Sequence, residues 1–288
     1  MKPLIKWPGG KRRILKHLRD HLPAEYGTYH EPMIGGGALF FDREPERAYI
    51  SDINQGLITM YKTVRDSPEH VIEELEKLTA KYARARKKDK FYYRQRDRFN
   101  YVSASNGQMA AIFLFLNKTG FNGLWRENKD GKMNVPVGKY ANPRFPTAEE
   151  IMRASELLSR TIVDRVDFTL TLDVAKEGDL VYFDPPYIPT RDNFTTYSSG
   201  GFHIEDHHRL AHIIHQLSER GVSVILSNSD TAKTRDIYIH LPIAKNRWMP
   251  TVTEIEAPRS INRDGKGRKP AKELIITNYS VIPERTVT

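Results

Sequence analysis

The stretch Asp184-Pro185-Pro186-Tyr187 constrains this chain more than any other. It follows a short apolar run at residues 180–183, which reads as a buried strand. Prolines cannot donate to a sheet ladder, so the pair ends that strand at once. An acid, a rigid turn and an aromatic ring therefore stand just past the carboxyl end of a strand, the edge where open α/β sheets bind ligands. A carboxylate and a proline carbonyl are both acceptors, and side by side they can grip the two hydrogens of an amino group. An aromatic amine is a weak nucleophile because its lone pair is delocalised into the ring. Two acceptors pulling on its hydrogens favour a more tetrahedral nitrogen with an available lone pair. Tyr187 offers a face on which a flat heterocycle can stack. The plainer reading is a loop with two prolines between a strand and a helix, and the turn alone leaves that reading open.

The totals narrow the classes. A chain of 288 residues suits one large domain or two modest ones. Its 39% apolar content supports a core, but no apolar run approaches the roughly 20 residues that a spanning helix needs. Residues 1–4 lack the apolar core of a signal peptide. The absence of cysteine excludes disulfides, thiolate metal sites and cysteine nucleophiles, and fits a cytoplasmic protein. Lys and Arg number 45 against 36 Asp and Glu, a net charge of +9. Such a balance points to a polyanionic partner, most often nucleic acid, with a generically basic surface as the alternative.

Along the chain, Lys6-Trp7-Pro8-Gly9-Gly10-Lys11 precedes a helix-like stretch at 12–21. Gly9 and Gly10 allow a tight turn with exposed amides, and Lys11 adds a cation that suits a carboxylate. The spacing is not that of a P-loop. Residues 29–41 read as a strand, a turn through Gly35-Gly36-Gly37 and a helix start, and residues 47–52 as a second strand ending on Asp52. This is a nucleoside-binding βαβ layout: glycines let the backbone approach a ligand, and the acid can accept from ribose hydroxyls. Phe40 replaces the last glycine of G-x-G-x-x-G, which disfavours a dinucleotide pyrophosphate.

Residues 59–116 turn helical, with helix-compatible stretches at 71–86, 91–100 and 109–116. The basic run Arg84, Arg86, Lys87, Lys88 and Lys90 reads first as a solvated helix end and second as a nonspecific phosphate contact. In residues 117–146, Asp130-Gly131 signals a two-residue hairpin turn. Alternate residues of the preceding strand share a face, so Leu124, Arg126 and Asn128 point the same way. A two-stranded ribbon can enter the major groove, where Arg grips guanine, Asn pairs with a base edge and Leu touches a thymine methyl. An ordinary amphipathic hairpin would explain Leu124 but not the other two. Beyond 146 the α/β pattern returns: a helix at 151–160, a strand at 161–163 leaving through Asp167-Phe168, a helix at 204–220, and buried strands at 222–228 and 274–279. Residues 259–272 are rich in Arg, Lys and Gly and read as a mobile basic loop. His208, His212 and His215 could share a helix face, but no carboxylate or cysteine completes a metal set, so no metal is expected.

With these motifs in order, the sequence resembles the Dam-type DNA adenine-N6 methyltransferases of the D-P-P-Y class over almost its whole length. Lys6 to Lys11 matches the family's K-W-x-G-G-K, and Glu31-Pro32 through Gly37 its E-P-x-x-G-x-G. Ser51-Asp52-Ile53-Asn54 matches the acid-ending strand, residues 116–140 the recognition hairpin, and Asp184 to Tyr187 the catalytic turn. Asn193-Phe194-Thr195 and Ser227-Asn228-Ser229-Asp230 also look like family segments.

The resemblance implies an α/β fold: a Rossmann-like class I methyltransferase sheet with an inserted, mainly helical target-recognition domain carrying a β-hairpin. Residues 1–58 and 147–288 would form the catalytic and S-adenosylmethionine-binding domain, and 59–146 the DNA target-recognition domain. By position, Asp184, Pro185, Pro186 and Tyr187 are the catalytic turn. Trp7, Lys11, Glu31, Pro32, Gly35, Gly37, Asp52, Asp167, Phe168 and Asp184 would hold the donor. Lys6, Phe121, Asn122, Leu124, Arg126, Asn128, Pro136 and Lys139 would meet DNA. Phe121 stands where many relatives have tyrosine, keeping an intercalating ring without its hydroxyl, and Lys139 where many have arginine. The implied activity is methylation of the adenine of GATC in double-stranded DNA by base flipping. The implied setting is the cytoplasm, near the nucleoid, with no membrane association; the resemblance leaves open whether the enzyme stands alone or protects DNA from a cognate restriction nuclease, which need not be in complex with it. The alternatives are an amino methyltransferase acting on cytosine N4, RNA or glutamine, and a catalytically silent DNA-binding regulator.

Overall fold

The computed structural model describes residues 1–188, 201–240, 250–257 and 271–281. Its strands are β1 (Tyr29–Glu31), β2 (Ala48–Ser51), β3 (Thr161–Asp164), β4 (Leu180–Phe183), β5 (Ser223–Ser229), β6 (Thr251–Ala257) and β7 (Ala271–Thr277). They form a seven-stranded sheet in the order β3-β2-β1-β4-β5-β7-β6. β1 pairs parallel with β4, and β4 parallel with β5. β7 runs antiparallel to both β5 and β6. The sheet is Rossmann-like, as the resemblance implies. All four residues of β4 are buried, as a continuous apolar run without alternation requires of a strand covered on both faces.

The strand order reverses between β1 and β4, and open α/β sheets bind ligands at the carboxyl ends of the strands flanking such a reversal. Glu31 ends β1, and Asp184 follows the last residue of β4.

The helices are α1 (Leu15–Asp20), α2 (Ala38–Arg43), α3 (Gln55–Asp66), α4 (Pro68–Arg84), α5 (Lys88–Tyr101), α6 (Asn106–Thr119), α7 (Ala148–Ser159), α8 (Thr171–Val174), α9 (Ile204–Glu219) and α10 (Ala232–Tyr238). No helix among the described residues is long and apolar enough to cross a membrane.

By contacts the chain divides into two compact units. The first is Met1–Gly10, Ile34–Glu44 and Ile50–Val166; the second is Lys11–Met33, Pro45–Tyr49 and Asp167–Thr288. In the first unit α6 is the central helix. Its residues from Ala110 to Asn117 are all buried, as a helix apolar on every side must be. α3, α4 and α5 pack around it. In the second unit the buried side of α9, with Leu210, Ile213, Ile214 and Leu217, joins Val224 and Leu226 of β5 and Leu274 and Ile276 of β7 in one core. The expected start of the recognition segment at residue 59 falls inside α3, which begins at Gln55.

Three details depart from the sequence reading. The turn at Asp130-Gly131 closes a three-residue loop, not a two-residue one. Asn128 N–H donates to the Lys132 carbonyl at 2.8 Å, and Gly131 N–H donates to the Asn128 carbonyl at 3.0 Å. Gly131 takes φ of +71°, so Lys129, Asp130 and Gly131 form a turn with a glycine bulge. The side chain of Asn128 favours this longer loop by accepting from the amides of Asp130 and Lys132 at 3.0 and 2.9 Å. Second, β6 has no counterpart in the sequence reading; its alternation of Thr, Glu and Ile reads weakly, and pairing with β7 is what forms it. Third, Lys272, read as loop, lies in β7 opposite Glu256. Residues 259–270 of the expected basic loop, and the segment Asn193-Phe194-Thr195, lie outside the described residues.

Candidate functional site

In the second unit, the Asp184 turn is held by side chains from distant parts of the chain. Asp184 Oδ1 lies 2.7 Å from Lys11 Nζ and accepts from Ser227 Oγ at 3.0 Å. Among the described residues, Oδ2 has no protein partner. Burial raises the Asp184 carboxyl above the usual range, and the Lys11 cation and the Ser227 hydroxyl pull it part of the way back. Lys11 is itself buried, and its ammonium stands 4.3 Å from the centre of the Tyr187 ring. The Tyr187 hydroxyl donates to Glu273 Oε2 of β7 at 2.8 Å. Burial keeps that phenol protonated and raises the Glu273 carboxyl as well. Behind the turn, Ser227 Oγ also bonds the Tyr182 hydroxyl at 3.0 Å, and Asn228 Oδ1 accepts from the Ile188 amide at 3.2 Å. Glu31 is buried and accepts from the Tyr29 hydroxyl at 2.6 Å. Asp167 is exposed and caps the next turn through the Thr169 amide. Phe168 is 4% exposed and packs in the core against Phe202.

In the first unit, Asp52 follows the last residue of β2, and among the described residues it accepts from the backbone: Gly35 N–H at 3.1 Å and Asn54 N–H at 2.9 Å. Its carboxyl is also raised, chiefly by burial and in smaller part by the negative charge of Glu127; the backbone amides of Asn54, Gly35 and Ile53 oppose the shift. Gly35 takes φ of +45°, and a Cβ there would come within 2.5 Å of the Trp7 ring. Glycine is required at that position both for the backbone and for the close approach of the indole.

The ribbon at residues 121–140 lies in the same unit. Trp125, Met133 and Val135 are buried, while Arg126, Asn128 and Pro136 are exposed and Leu124 is half-buried. The expected alternation therefore holds, although regular ladder is reduced to isolated bridges at Gly120–Val137 and Glu127–Met133. Arg126 Nε donates to Asn134 Oδ1 at 2.7 Å, which orients the guanidinium. Asn100 ties the returning strand to α5, giving and taking one bond with the Met133 backbone, each 2.9 Å. Lys6 is bound to α6 by Asn117, which bonds both the amide and the carbonyl of Lys6. The Lys6 side chain lies against Gly123, and its ammonium stands 5.4 Å from the centre of the Tyr140 ring. Asn122 has a left-handed backbone with φ of +53°, a conformation asparagine tolerates better than most residues. Phe121 is 47% exposed, an unusual position for a large apolar ring.

A family model described as "D12 class N6 adenine-specific DNA methyltransferase" matches residues 7–252. A "Type II methyltransferase M1.LlaDCHI" of Lactococcus lactis subsp. cremoris is 38% identical over 287 residues, covering 97% of this chain and 96% of the relative. A "Type II methyltransferase M.MjaIII" of Methanocaldococcus jannaschii is 36% identical, covering 97% and 99%. A "DNA adenine methylase" of Vibrio cholerae is 34% identical, covering 94% of each chain. The chain belongs to the D12 class of N6 adenine-specific DNA methyltransferases.

For this methyltransferase, the residues singled out in the sequence fall into two groups. Lys11, Glu31, Pro32, Asp167, Phe168 and the Asp184 turn belong to the second unit; Trp7, Gly35, Gly37, Asp52, Lys6 and the ribbon belong to the first. Of the first group, Asp184, Tyr187 and Lys11 touch one another. Sequence reasoning passed over Ser227, Glu273, Asn134, Asn117, Trp125 and Glu127. Ser227 lies in a segment that matched the family, which was the one available signal for it. The others act through contacts between residues far apart in the chain or across the ribbon. Among the described residues no group of three or more His, Asp or Glu could hold a metal ion, and His215 is paired with Glu219 at 3.6 Å.

Proposed function

We propose that this methyltransferase transfers a methyl group from S-adenosylmethionine to N6 of the adenine in GATC, after flipping that base out of double-stranded DNA. The observation that carries the chemistry is the Asp184 carboxylate, with Oδ1 taken by Lys11 and Ser227 and Oδ2 without a protein partner among the described residues. A half-buried carboxylate oriented by two partners on one oxygen suits the other oxygen to accept an amino hydrogen, with the Pro185 carbonyl taking the second. Lys11 favours the ionised form that this role needs. Tyr187, fixed at its hydroxyl by Glu273, supplies the face for the flipped base.

The residues fit the donor. Asp52 spends one lone pair of each oxygen on a backbone amide and keeps others for ribose hydroxyls. Gly35 and Gly37 have positive φ, which shapes the loop before α2. When bound, S-adenosylmethionine supplies an electrophilic methyl group on a sulfonium. Trp7, Lys11, Glu31, Pro32, Gly35, Gly37, Asp52, Asp167, Phe168 and Asp184 are the residues assigned to it. Catalysis then rests on positioning and hydrogen-bond polarisation. The adenine specificity of the family favours this reading over cytosine, RNA or glutamine as methyl acceptor.

Residues 59–146 would recognise DNA. Arg126 has its Nε committed to Asn134, which leaves the terminal nitrogens to fork onto guanine. Asn128 has its carbonyl oxygen committed to the turn, so it would meet a base or phosphate as a donor. Leu124, Lys6, Phe121, Asn122, Pro136 and Lys139 complete the proposed interface. The test is in vitro methylation of plasmid DNA with modified bases mapped at single-nucleotide resolution, for wild type and Arg126→Ala. Wild type should modify the adenine of GATC. Arg126→Ala should lose about 1–3 kcal/mol of discrimination at one guanine, with much less change in nonspecific binding. Modification confined to another adenine site would overturn the GATC reading. Equal slowing on every substrate would reduce Arg126 to a positioning residue.

A further inference from the structure

Six residues of the first unit close a ring around the strand end that carries Asp52. Gly35 N–H donates to Asp52 at 3.1 Å. Asn54, two residues on, donates from Nδ2 to Glu127 Oε1 at 2.8 Å. The same oxygen accepts from Trp125 Nε1 at 2.9 Å. The Trp125 ring stacks with Trp7 at 6.3 Å and 15° between planes. Trp7 in turn lies against Gly35 too closely for any Cβ there. Trp125 and Glu127 flank Arg126 on the ribbon, so the residues on either side of an exposed arginine reach inward to the glycine loop and the Asp52 turn.

We propose that Glu127 is a positioning residue through which the recognition ribbon and the donor loop act on one another. The inference rests on the reading above, that Asp52 holds the donor and the ribbon reads DNA. One carboxylate oxygen receives both donors, so neither Trp125 nor Asn54 can shift without stretching a charge-assisted bond. A displacement of Arg126 on engaging a base is therefore passed to Asn54 and Asp52 on one side, and by stacking to Trp7 and Gly35 on the other. Linkage makes the effect reciprocal: cognate DNA must change donor affinity by the factor by which donor changes DNA affinity.

The experiment is calorimetric titration with S-adenosylhomocysteine, which cannot transfer a methyl group. It is run with and without a GATC duplex, on wild type, Glu127→Ala, Glu127→Gln, Asn54→Ser and Asp52→Ala. Serine retains the N-cap that Asn54 provides for α3 but is too short to reach Glu127. Glutamine retains the acceptor. In wild type the duplex should change the dissociation constant by about fivefold or more. That factor should fall towards one in Glu127→Ala and in Asn54→Ser, and return in Glu127→Gln. An unchanged factor in both broken variants, or no factor in wild type, overturns the inference; so does a loss of thermal stability without loss of coupling. Unaltered affinity in Asp52→Ala would instead overturn the donor-site reading, so the two failures are distinguishable.

Discussion

Asp52 and Asp184 both follow the last residue of a strand, and burial raises the carboxyls of both, yet they are held in opposite ways. Asp52 is anchored at both oxygens by backbone amides. Among the described residues, Asp184 is anchored at one oxygen only, by a lysine and a serine side chain drawn from elsewhere in the chain. Backbone donors come with the loop and cannot be exchanged. Side-chain donors can move or be replaced, and an oxygen without a protein partner can meet a substrate. On the function proposed above, the difference separates an acid that holds a ligand from an acid that acts on one.

The largest effect that would break this contrast lies at Asp184. Asp184→Ala should lower the single-turnover rate of methyl transfer on the order of a thousandfold, the scale of a lost polarising contact, while duplex binding and the melting transition persist. Turnover close to wild type would remove the proposed distinction between the two acids. Asp52→Ala comes next. It should weaken donor binding by about 1.5–3 kcal/mol, roughly tenfold to a hundredfold, with a smaller change in the rate at saturating donor. A variant with intact affinity and a collapsed rate would reverse the two roles.

The smallest effect sharpens the contrast. Asp184 must be ionised to accept an amino hydrogen, so the rate should fall as pH drops through its raised pKa. Lys11 opposes that rise, and Lys11→Gln should therefore move the acid limb of kcat to higher pH. A limb that stays in place, or moves to lower pH, would mean that Lys11 does not control the ionisation of Asp184. Stability carries the matching sign. A carboxyl raised in the folded state adds stability below its unfolded pKa, and that contribution disappears as pH rises through the folded value.

Much of this was legible in the residues themselves. The unbroken apolar run before Asp184 required a strand covered on both faces, and the two prolines fixed where it stops. Period-two alternation put Arg126 and Asn128 on one face, and both are exposed, although the turn proved one residue longer. These features depend on neighbours in sequence, where sterics and periodicity act directly. Tertiary structure alone decided the partners. That Lys11 would sit on Asp184 and over Tyr187, that Glu273 would hold the phenol, and that Glu127 would tie the ribbon to Asn54 all depend on groups far apart in the chain. Strand β6 forms for the same reason, since its hydrogen bonds exist only once β7 lies beside it. Such contacts leave no periodic trace, because a buried polar atom requires a partner but does not specify from how far along the chain it comes.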